Sequence, residues 1–327
     1  MSPAIRIEEL TKDYAVGFWR KRPYRALDRL TLDIEQGEVF GFLGPNGAGK
    51  TTTLKLLMQL IFPTSGRAEI LGRPVGDLAV RHRIGYLPEN PSFYDYLTAE
   101  ELLHYFGQLF GLSAADRRTR VASLLDRVGI GAERRLQLRK FSKGMIQRVG
   151  IAQALLNDPE VVFLDEPMSG LDPLGRRDVR ALILELRDQG RTVFFSSHIL
   201  SDAESLCRRV AVVAGGRLAA TGKLTDILTV QVRGWELVVS NLTPELLARV
   251  MPRVRRATEI SHGRYNLDLA LDTPPDRLLS DLTAAGASLV SLNPLHDTLE
   301  DYFLQRVAEA GAGARAPQAE EGAHAGY

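Results

Sequence analysis

The stretch EVFGFLGPNGAGKTT, running from Glu38 to Thr52, decides the fold of this chain. It starts with a short, mostly apolar run up to Leu43, which is typical of a buried strand. Residues Gly44 to Thr51 then match the phosphate-binding pattern G-x-x-x-x-G-K-[ST]. The residues from Thr52 to Leu60 favour a helix. Because strand, glycine loop and helix is the order that this motif requires, we predict a nucleotide-binding α/β core.

The chemistry of the loop supports this prediction. Glycines let the backbone wrap tightly, so that its N–H groups point at a polyphosphate, and the helix N-terminus adds partial positive charge. Lys50 is expected to reach the β- and γ-phosphates, and the Thr51 hydroxyl is expected to ligate Mg²⁺. A glycine-rich turn with a chance lysine is the alternative, and the complete motif between a strand and a helix disfavours it.

Composition restricts the class of protein. At 327 residues the chain is long enough for two domains, and its formal net charge of +1 gives no general argument for nucleic acid. Cys207 is the only cysteine, which excludes an intrachain disulfide and agrees with a cytosolic setting. No apolar run approaches the length of a membrane span, and the first residues lack the apolar core of a signal peptide. We therefore expect any membrane role to depend on a partner.

A second strand ends in two acids. Val161 to Leu164 is fully apolar, and Asp165 and Glu166 follow directly. Buried carboxylates need a partner or a metal, and in a protein with a phosphate-binding loop that partner is Mg²⁺. A third predicted strand, 192–198, has a polar end that closes with His198.

Other segments set the organisation around these strands. Residues 4–10 and 26–34 alternate as strands, whereas about 91–157 favours a helical insertion, with a capping box formed by Thr98 and Glu101. Between the first two strands, residues 16–25 combine aromatic and basic side chains. Such a loop could stack on the bases of a nucleic acid or be a solvated hairpin. We favour the hairpin and expect no nucleic acid here.

From Ile5 to Leu228 the chain resembles the ATP-binding subunits of ABC transporters, through motifs in the family's order. The loop at 44–52 resembles Walker A, and 161–166 resembles Walker B. The run FSKGM at 141–145 is similar to the LSGGQ signature, and SGLD at 169–172 to the D-loop. His198 stands where the family has its switch histidine.

The resemblance implies ATP and Mg²⁺ as ligands and assigns roles to residues. Glu166 is implied as the general base and His198 as its catalytic companion. The implied metal ligands are Thr51, Asp165 and Glu89. The implied nucleotide-binding residues, with Tyr14 as the aromatic that stacks on adenine, are Tyr14, Gly44, Pro45, Asn46, Gly47, Ala48, Gly49, Lys50, Thr51, Thr52, Glu89, Ser142, Gly144 and Asp172.

The sequence departs from the family pattern at two places. Glu89 stands where the family usually has glutamine, which adds negative charge near the γ-phosphate. In the signature, Lys143 and Met145 replace the usual glycine and glutamine, whereas Ser142 and Gly144 are kept. We expect ATPase activity, and these departures leave its rate open.

The resemblance also implies the architecture. We expect an α/β P-loop NTPase core at 1–229, with an antiparallel β subdomain and a helical subdomain at about 91–157. Residues 230–309 predict a small α+β domain in the order β-α-β-β-α-β, which is ferredoxin-like, with a closing helix at 297–308. The Gly- and Ala-rich tail, 310–327, predicts disorder.

The implied function is to energise a transport complex, with export favoured, from the cytoplasmic side of the cell membrane. The implied partners are an integral-membrane permease, which the loop at 16–25 is one candidate to contact, and a second copy of the chain or a paralogous ATPase. The alternatives are an importer subunit and a soluble ABC ATPase acting in translation or DNA repair. A single nucleotide domain disfavours the translation type, and one cysteine without sustained heptads disfavours the repair types.

Overall fold

The chain divides into two compact units. In the computed structural model, which describes residues 2–17, 21–227 and 232–296, the first unit runs to Leu224 and the second starts at Thr225. The predicted boundary between residues 229 and 230 lies outside the described residues. The predicted closing helix and the predicted disordered tail also lie outside them.

The first unit mixes strands and helices throughout. In chain order its elements are β1 (Ile5–Val16), β2 (Arg22–Ile34), β3 (Val39–Leu43), α1 (Lys50–Leu57), β4 (Ser65–Ile70), β5 (Arg73–Pro74), α2 (Leu78–Arg81), β6 (Ile84–Leu87), α3 (Ala99–Leu109), α4 (Ala114–Arg127), a 3₁₀ turn (Leu138–Lys140), α5 (Lys143–Leu155), β7 (Val161–Asp165), α6 (Pro173–Asp188), β8 (Thr192–Ser197), α7 (Leu200–Leu206), β9 (Arg209–Ala214) and β10 (Arg217–Lys223). A short helix, α8 (Leu224–Ile227), follows at the division between the units.

A six-stranded sheet in the order β10-β9-β3-β8-β7-β6 forms the centre of this unit. Its inner strands pair in parallel, and only β10 is antiparallel to its neighbour. Every residue of β3, β7 and β8 is buried, as expected for parallel strands covered on both faces. The phosphate-binding loop follows β3, Asp165 ends β7 with Glu166 next to it, and His198 follows β8. The parallel topology therefore places these groups at the carboxyl ends of the strands.

The central sheet also encloses the single cysteine of the chain. Cys207 follows α7 and is buried. A Cβ added to Gly41 of β3 would lie 3.0 Å from its Sγ, so the thiol fills the space that the glycine leaves. Burial raises the pKa of this thiol, and the group is therefore a packing residue in its protonated form.

A second, antiparallel sheet has the order β2-β1-β4-β5. The hairpin of β1 and β2 is longer than predicted, because the strands run on to Val16 and start again at Arg22. The predicted strand limits at residues 10 and 26 are therefore wrong. The alternating pattern stops there, and polar cross-strand contacts replace it, such as Arg25 Nε to Asp13 Oδ1 at 2.9 Å. Residues 18–20 of the loop lie outside the described residues.

Helices α3, α4 and α5 form the insertion between β6 and β7, where the sequence predicts a helical segment. Helix α3 contacts both α4 and α5. The predicted capping box is confirmed, because Glu101 N–H donates to Thr98 Oγ1 and Thr98 N–H donates to the Glu101 carboxylate. No helix among the described residues is long and apolar enough to span a membrane.

The second unit has its own sheet and core. Its elements are β11 (Val232–Ser240), α9 (Pro244–Val250), a 3₁₀ turn (Met251–Arg253), β12 (Arg256–Ser261), β13 (Arg264–Ala270), α10 (Pro275–Ala284) and β14 (Ser288–His296). The strands form an antiparallel sheet in the order β12-β13-β11-β14. This element order is the β-α-β-β-α-β pattern that the sequence predicts. Buried leucines of β11, β13 and α10, including Leu237, Leu267 and Leu278, form its core.

Candidate nucleotide-binding site

A cavity of about 360 Å³ lies beside the phosphate-binding loop. This volume is within the usual range for small-molecule sites. The cavity is lined by the phosphate-binding loop, two tyrosines of the β1–β2 hairpin and two glutamates. Its lining residues are Tyr14, Tyr24, Ala26, Pro45, Asn46, Gly47, Gly49, Lys50, Thr51, Thr52, Glu89 and Glu166.

Two glycines of the loop, Gly44 and Gly49, are required by close approaches of backbone. Gly49 has a φ of +104° and is the N-cap of α1, so the helix starts at Lys50 and not at Thr52 as predicted. It ends at Leu57, before the predicted Leu60.

A Cβ on Gly44 would lie 2.5 Å from the Val213 carbonyl oxygen. Gly44 therefore allows the loop to pack closely against the backbone of Val213. Like buried Ala48, it does not line the cavity.

The side chains of Lys50, Glu166 and His198 form a connected network. Lys50 Nζ donates to the Gly44 carbonyl oxygen at 2.7 Å and lies 3.2 Å from Glu166 Oε1. The side chains of Lys50 and Glu166 are only 6% and 7% exposed. His198 Nδ1 lies 2.9 Å from Glu166 Oε2. The structure thus brings together three predicted residues that come from three different segments of the chain.

Ser196, which the sequence analysis did not select, orients both acids at the end of β7. Its Oγ donates to Asp165 Oδ1 at 2.6 Å and accepts the Glu166 backbone N–H at 3.1 Å. Glu166 itself has a φ of +49°, a left-handed conformation that non-glycine residues rarely adopt. The polar end of the strand 192–197 was the signal in the sequence, because Asp165 and Ser196 pair across β7 and β8.

Gln147 is the second residue that the sequence analysis missed. It lies on α5, is buried, and donates from Nε2 to the carbonyl oxygens of Glu166 and Pro167, both at 3.4 Å. This contact connects the helix that follows the signature to the backbone of the two acids. Only its position, two residues after the signature run 141–145, separated it from other helical polar residues.

The residues around Asp165 fit a divalent cation. Its carboxylate is buried, and its Oδ2 has no hydrogen-bond partner among the described residues. Burial raises the pKa of Asp165, and the hydrogen bond from Ser196 opposes this rise. Thr51 and Glu89 line the adjacent cavity. The described residues contain no group of three or more His, Cys, Asp or Glu side chains that could hold a metal.

The signature residues lie at a different cavity. Ser142, Gly144 and Asp172 line one of about 480 Å³, together with Lys143 and Met145. None of these residues lines the cavity of the phosphate-binding loop. The structure therefore divides the predicted nucleotide-binding residues of one copy into two separate groups.

Two helix caps define this second group. Ser142 is the N-cap of α5, and its Oγ accepts the Met145 N–H at 3.2 Å. Because a hydroxyl has a donor as well as acceptors, the cap leaves the Ser142 proton available for another acceptor. Asp172 is the N-cap of α6 and accepts the Gly175 N–H at 2.9 Å.

Known proteins share the motifs of this site. The family model described as ABC transporter matches residues 27–169. An uncharacterized ABC transporter ATP-binding protein of Synechocystis sp. is 46% identical over 93% of this chain and 84% of its own length. The chain belongs to the ABC transporter ATP-binding proteins. It is accordingly an ATPase of the ABC type, with the nucleotide-binding fold that its motifs predict.

Two further matches concern related ABC ATP-binding proteins. The Nod factor export ATP-binding protein I of Cupriavidus metallidurans is 38% identical over 62% of this chain and 67% of its own length. The dimeric post-hydrolysis structure of the ATP-binding cassette MJ0796, bound to ADP and Pi, has a TM-score of 0.62 at 27% identity, and covers 67% of this chain and 98% of that one. ABC ATP-binding subunits dimerise in this way and work with membrane permeases.

Proposed function

We propose that this ABC ATP-binding subunit hydrolyses ATP at the cavity of its phosphate-binding loop, with Glu166 as the general base, to energise export. The observation that carries the proposal is the contact of buried Lys50 with buried Glu166, whose other carboxylate oxygen lies 2.9 Å from Nδ1 of the exposed His198. A carboxylate held beside the phosphate-binding lysine is in the right place to accept a proton from a water that attacks the γ-phosphate.

In this proposal Lys50, Glu166 and His198 each have a separate task. Lys50 leaves Glu166 and binds the phosphates when ATP enters, because a polyphosphate offers more negative charge than one carboxylate. Glu166 then keeps its contact with His198, which orients the carboxylate toward the water. Ser196 holds the Glu166 backbone, so that the carboxylate stays in position during proton transfer.

Asp165, Thr51 and Glu89 would hold Mg²⁺ at this site. The unpartnered Oδ2 of Asp165 supports this role. When bound, the ion would offset the negative charge of the phosphates. Glu89 adds a negative charge that the usual glutamine lacks, so we expect this residue to influence the turnover rate.

Two copies are needed for a complete site in this proposal. The residues Ser142, Gly144 and Asp172 lie apart from the loop of their own copy, which supports binding to ATP held by a second copy or a paralogue. The export protein of C. metallidurans supports the direction of transport. The permease would hold the pair at the cytoplasmic side of the membrane.

The experiment replaces the proposed base. Glu166→Gln keeps the shape of the side chain but removes the base, so we expect ATP to bind and steady-state turnover to fall by roughly 10²-fold or more. Phosphate release by the full chain measures this. Glu160→Gln is the matched control, since Glu160 precedes the other end of β7 and pairs with Arg83. Wild-type turnover in Glu166→Gln would refute the assignment.

A further inference from the structure

Tyr24 occupies a position in the nucleotide cavity that no motif of the chain predicts. In the β1–β2 hairpin, Tyr24 pairs directly with Tyr14, and directly opposite residues of an antiparallel pair have their side chains on the same face. Both tyrosines line the cavity. The cavity therefore has phosphate-binding groups at one part and two aromatic side chains at another.

The backbone around Tyr24 is attached to the phosphate-binding loop. Ala26, two residues further along β2, also lines the cavity, and its carbonyl oxygen would lie 2.8 Å from a Cβ on Gly49. Asp28 N–H donates to the Gly216 carbonyl at 2.8 Å, and Gly216 N–H donates to the Ala48 carbonyl at 3.1 Å. This part of β2 is thus held in a fixed relation to the loop.

Salt bridges hold the residue next to Tyr24. Arg25 Nε lies 2.9 Å from Asp13 Oδ1, and its Nη1 lies 3.2 Å from Asp28 Oδ1. Residues 24 and 25 point to opposite faces of the strand. With Arg25 fixed on one face by two acids, Tyr24 is directed toward the cavity on the other.

The two tyrosines differ in how much ring surface they offer to a ligand. The Lys12 ammonium lies 5.3 Å from the centroid of the Tyr14 ring, and the same ammonium donates to the Phe62 carbonyl oxygen at 2.6 Å. One face of Tyr14 is therefore covered by a fixed cation. Tyr24 is 53% exposed, and within the described residues no other aromatic ring stacks on it.

We propose that Tyr24 contacts the base of the bound nucleotide alongside Tyr14. This inference rests on the proposed nucleotide site and adds a residue to it. Aromatic rings hold a base through its π-face. Tyr24 provides an exposed ring, and Tyr14 provides a second ring that the Lys12 ammonium holds in position.

The test separates the base from the phosphates. Binding to the full chain is measured by calorimetry with Mg²⁺ and a non-hydrolysable ATP analogue, and in parallel with inorganic tripolyphosphate. For Tyr24→Ala we expect affinity for the analogue to fall roughly 10-fold, the scale of one base–aromatic stack, and affinity for tripolyphosphate to stay unchanged. Tyr24→Phe keeps the ring and should retain wild-type affinity. Tyr96→Ala, at another exposed tyrosine outside the cavity, is the matched control.

Two results would overturn the inference. Unchanged affinity of Tyr24→Ala for the ATP analogue would show that the residue does not contact the base. Equal losses for the analogue and for tripolyphosphate would show that it acts only through the shape of the loop. Lys50→Ala tests the underlying site separately, because it should lose both ligands. If Lys50→Ala retained them, the proposed nucleotide site itself would be wrong.

Discussion

At the scale of single residues, the ion pair of Lys50 and Glu166 sets a condition on nucleotide binding. Both side chains are almost fully buried, and removing the partner of a buried charge is costly. In the proposed mechanism the lysine is therefore not free before the nucleotide arrives, since it would exchange a carboxylate for phosphate. The same exchange releases one oxygen of Glu166 at the moment when a water has a phosphate to attack.

Asp28 shows how the arginines around the hairpin contribute to stability. Its side chain is 4% exposed, and Arg217 donates to its Oδ2 at 2.6 Å. This hydrogen bond holds the pKa of Asp28 below its usual range. For Arg217→Met we expect the melting temperature at pH 7 to fall by about 3 °C, which corresponds to about 1 kcal/mol in a unit of this size. The loss stays small because Arg217 is 67% exposed and screened by solvent.

The pH dependence of this pair follows from the sign of the shift. A carboxyl group with a lowered folded-state pKa stabilises the fold above its unfolded-state pKa, about 3.9, and loses this contribution as the pH falls through the folded-state value. The difference in melting temperature between wild type and Arg217→Met should thus be constant from about pH 7 to 5 and shrink below about pH 4. A difference that grows toward acid would contradict the explanation. Arg67→Met, at a more exposed pair with Glu8, is the control.

At the scale of elements, Ser142 at the N-terminus of α5 combines an observed helix cap with its proposed contact to ATP. Ser142→Ala removes the cap, and we expect a loss of about 1 kcal/mol in stability together with a fall in turnover of about 10-fold or more. Ser142→Asp restores the cap, because aspartate is an equally good N-cap. Its charge repels a phosphate, so we expect normal stability and low turnover. Thermal unfolding and phosphate release, measured on both variants, test the two roles separately.

The matched cap for this experiment is Ser113 of α4, which accepts the Asp116 N–H at 3.1 Å and lies away from both cavities. Ser113→Ala should lower stability by a similar amount and leave the specific turnover unchanged. If Ser142→Asp had wild-type turnover, Ser142 would be a helix cap only.

Most elements of the first unit could be predicted, because local patterns determine them. The apolar runs of β3, β7 and β8 and the capping box of α3 depend on neighbouring residues in the sequence. The extension of the hairpin to Val16 could not be predicted, since its polar contacts join residues on two strands. Tyr24 and Ser196 were missed for the same reason. Their roles arise from cross-strand partners, Tyr14 and Asp165, that no local pattern identifies.

At the scale of the whole molecule, the separation of the two cavities predicts assembly. If each signature cavity completes a site on another copy, then blocking hydrolysis should hold two copies together. We expect Glu166→Gln with ATP and Mg²⁺ to shift from monomer toward dimer in light scattering, and the same variant with ADP to shift much less. Wild type with ATP should show less dimer, because turnover separates the copies.

A second substitution makes this result specific. Glu166→Gln combined with Ser142→Asp should bind ATP at the loop but not dimerise, since only the signature side is changed. A chain that remained monomeric under all of these conditions, and also in the presence of its permease, would contradict a site shared between two copies.

The buried position of Cys207 has a practical consequence for observing such assembly. Because the thiol is buried and protonated, we expect it not to react with maleimide or methanethiosulfonate reagents at neutral pH. A cysteine introduced at exposed Leu174, near the start of α6, would then be the reactive thiol of the chain. Spin labels attached there would report distances between copies during a catalytic cycle, without first removing the native cysteine and disturbing the packing against Gly41.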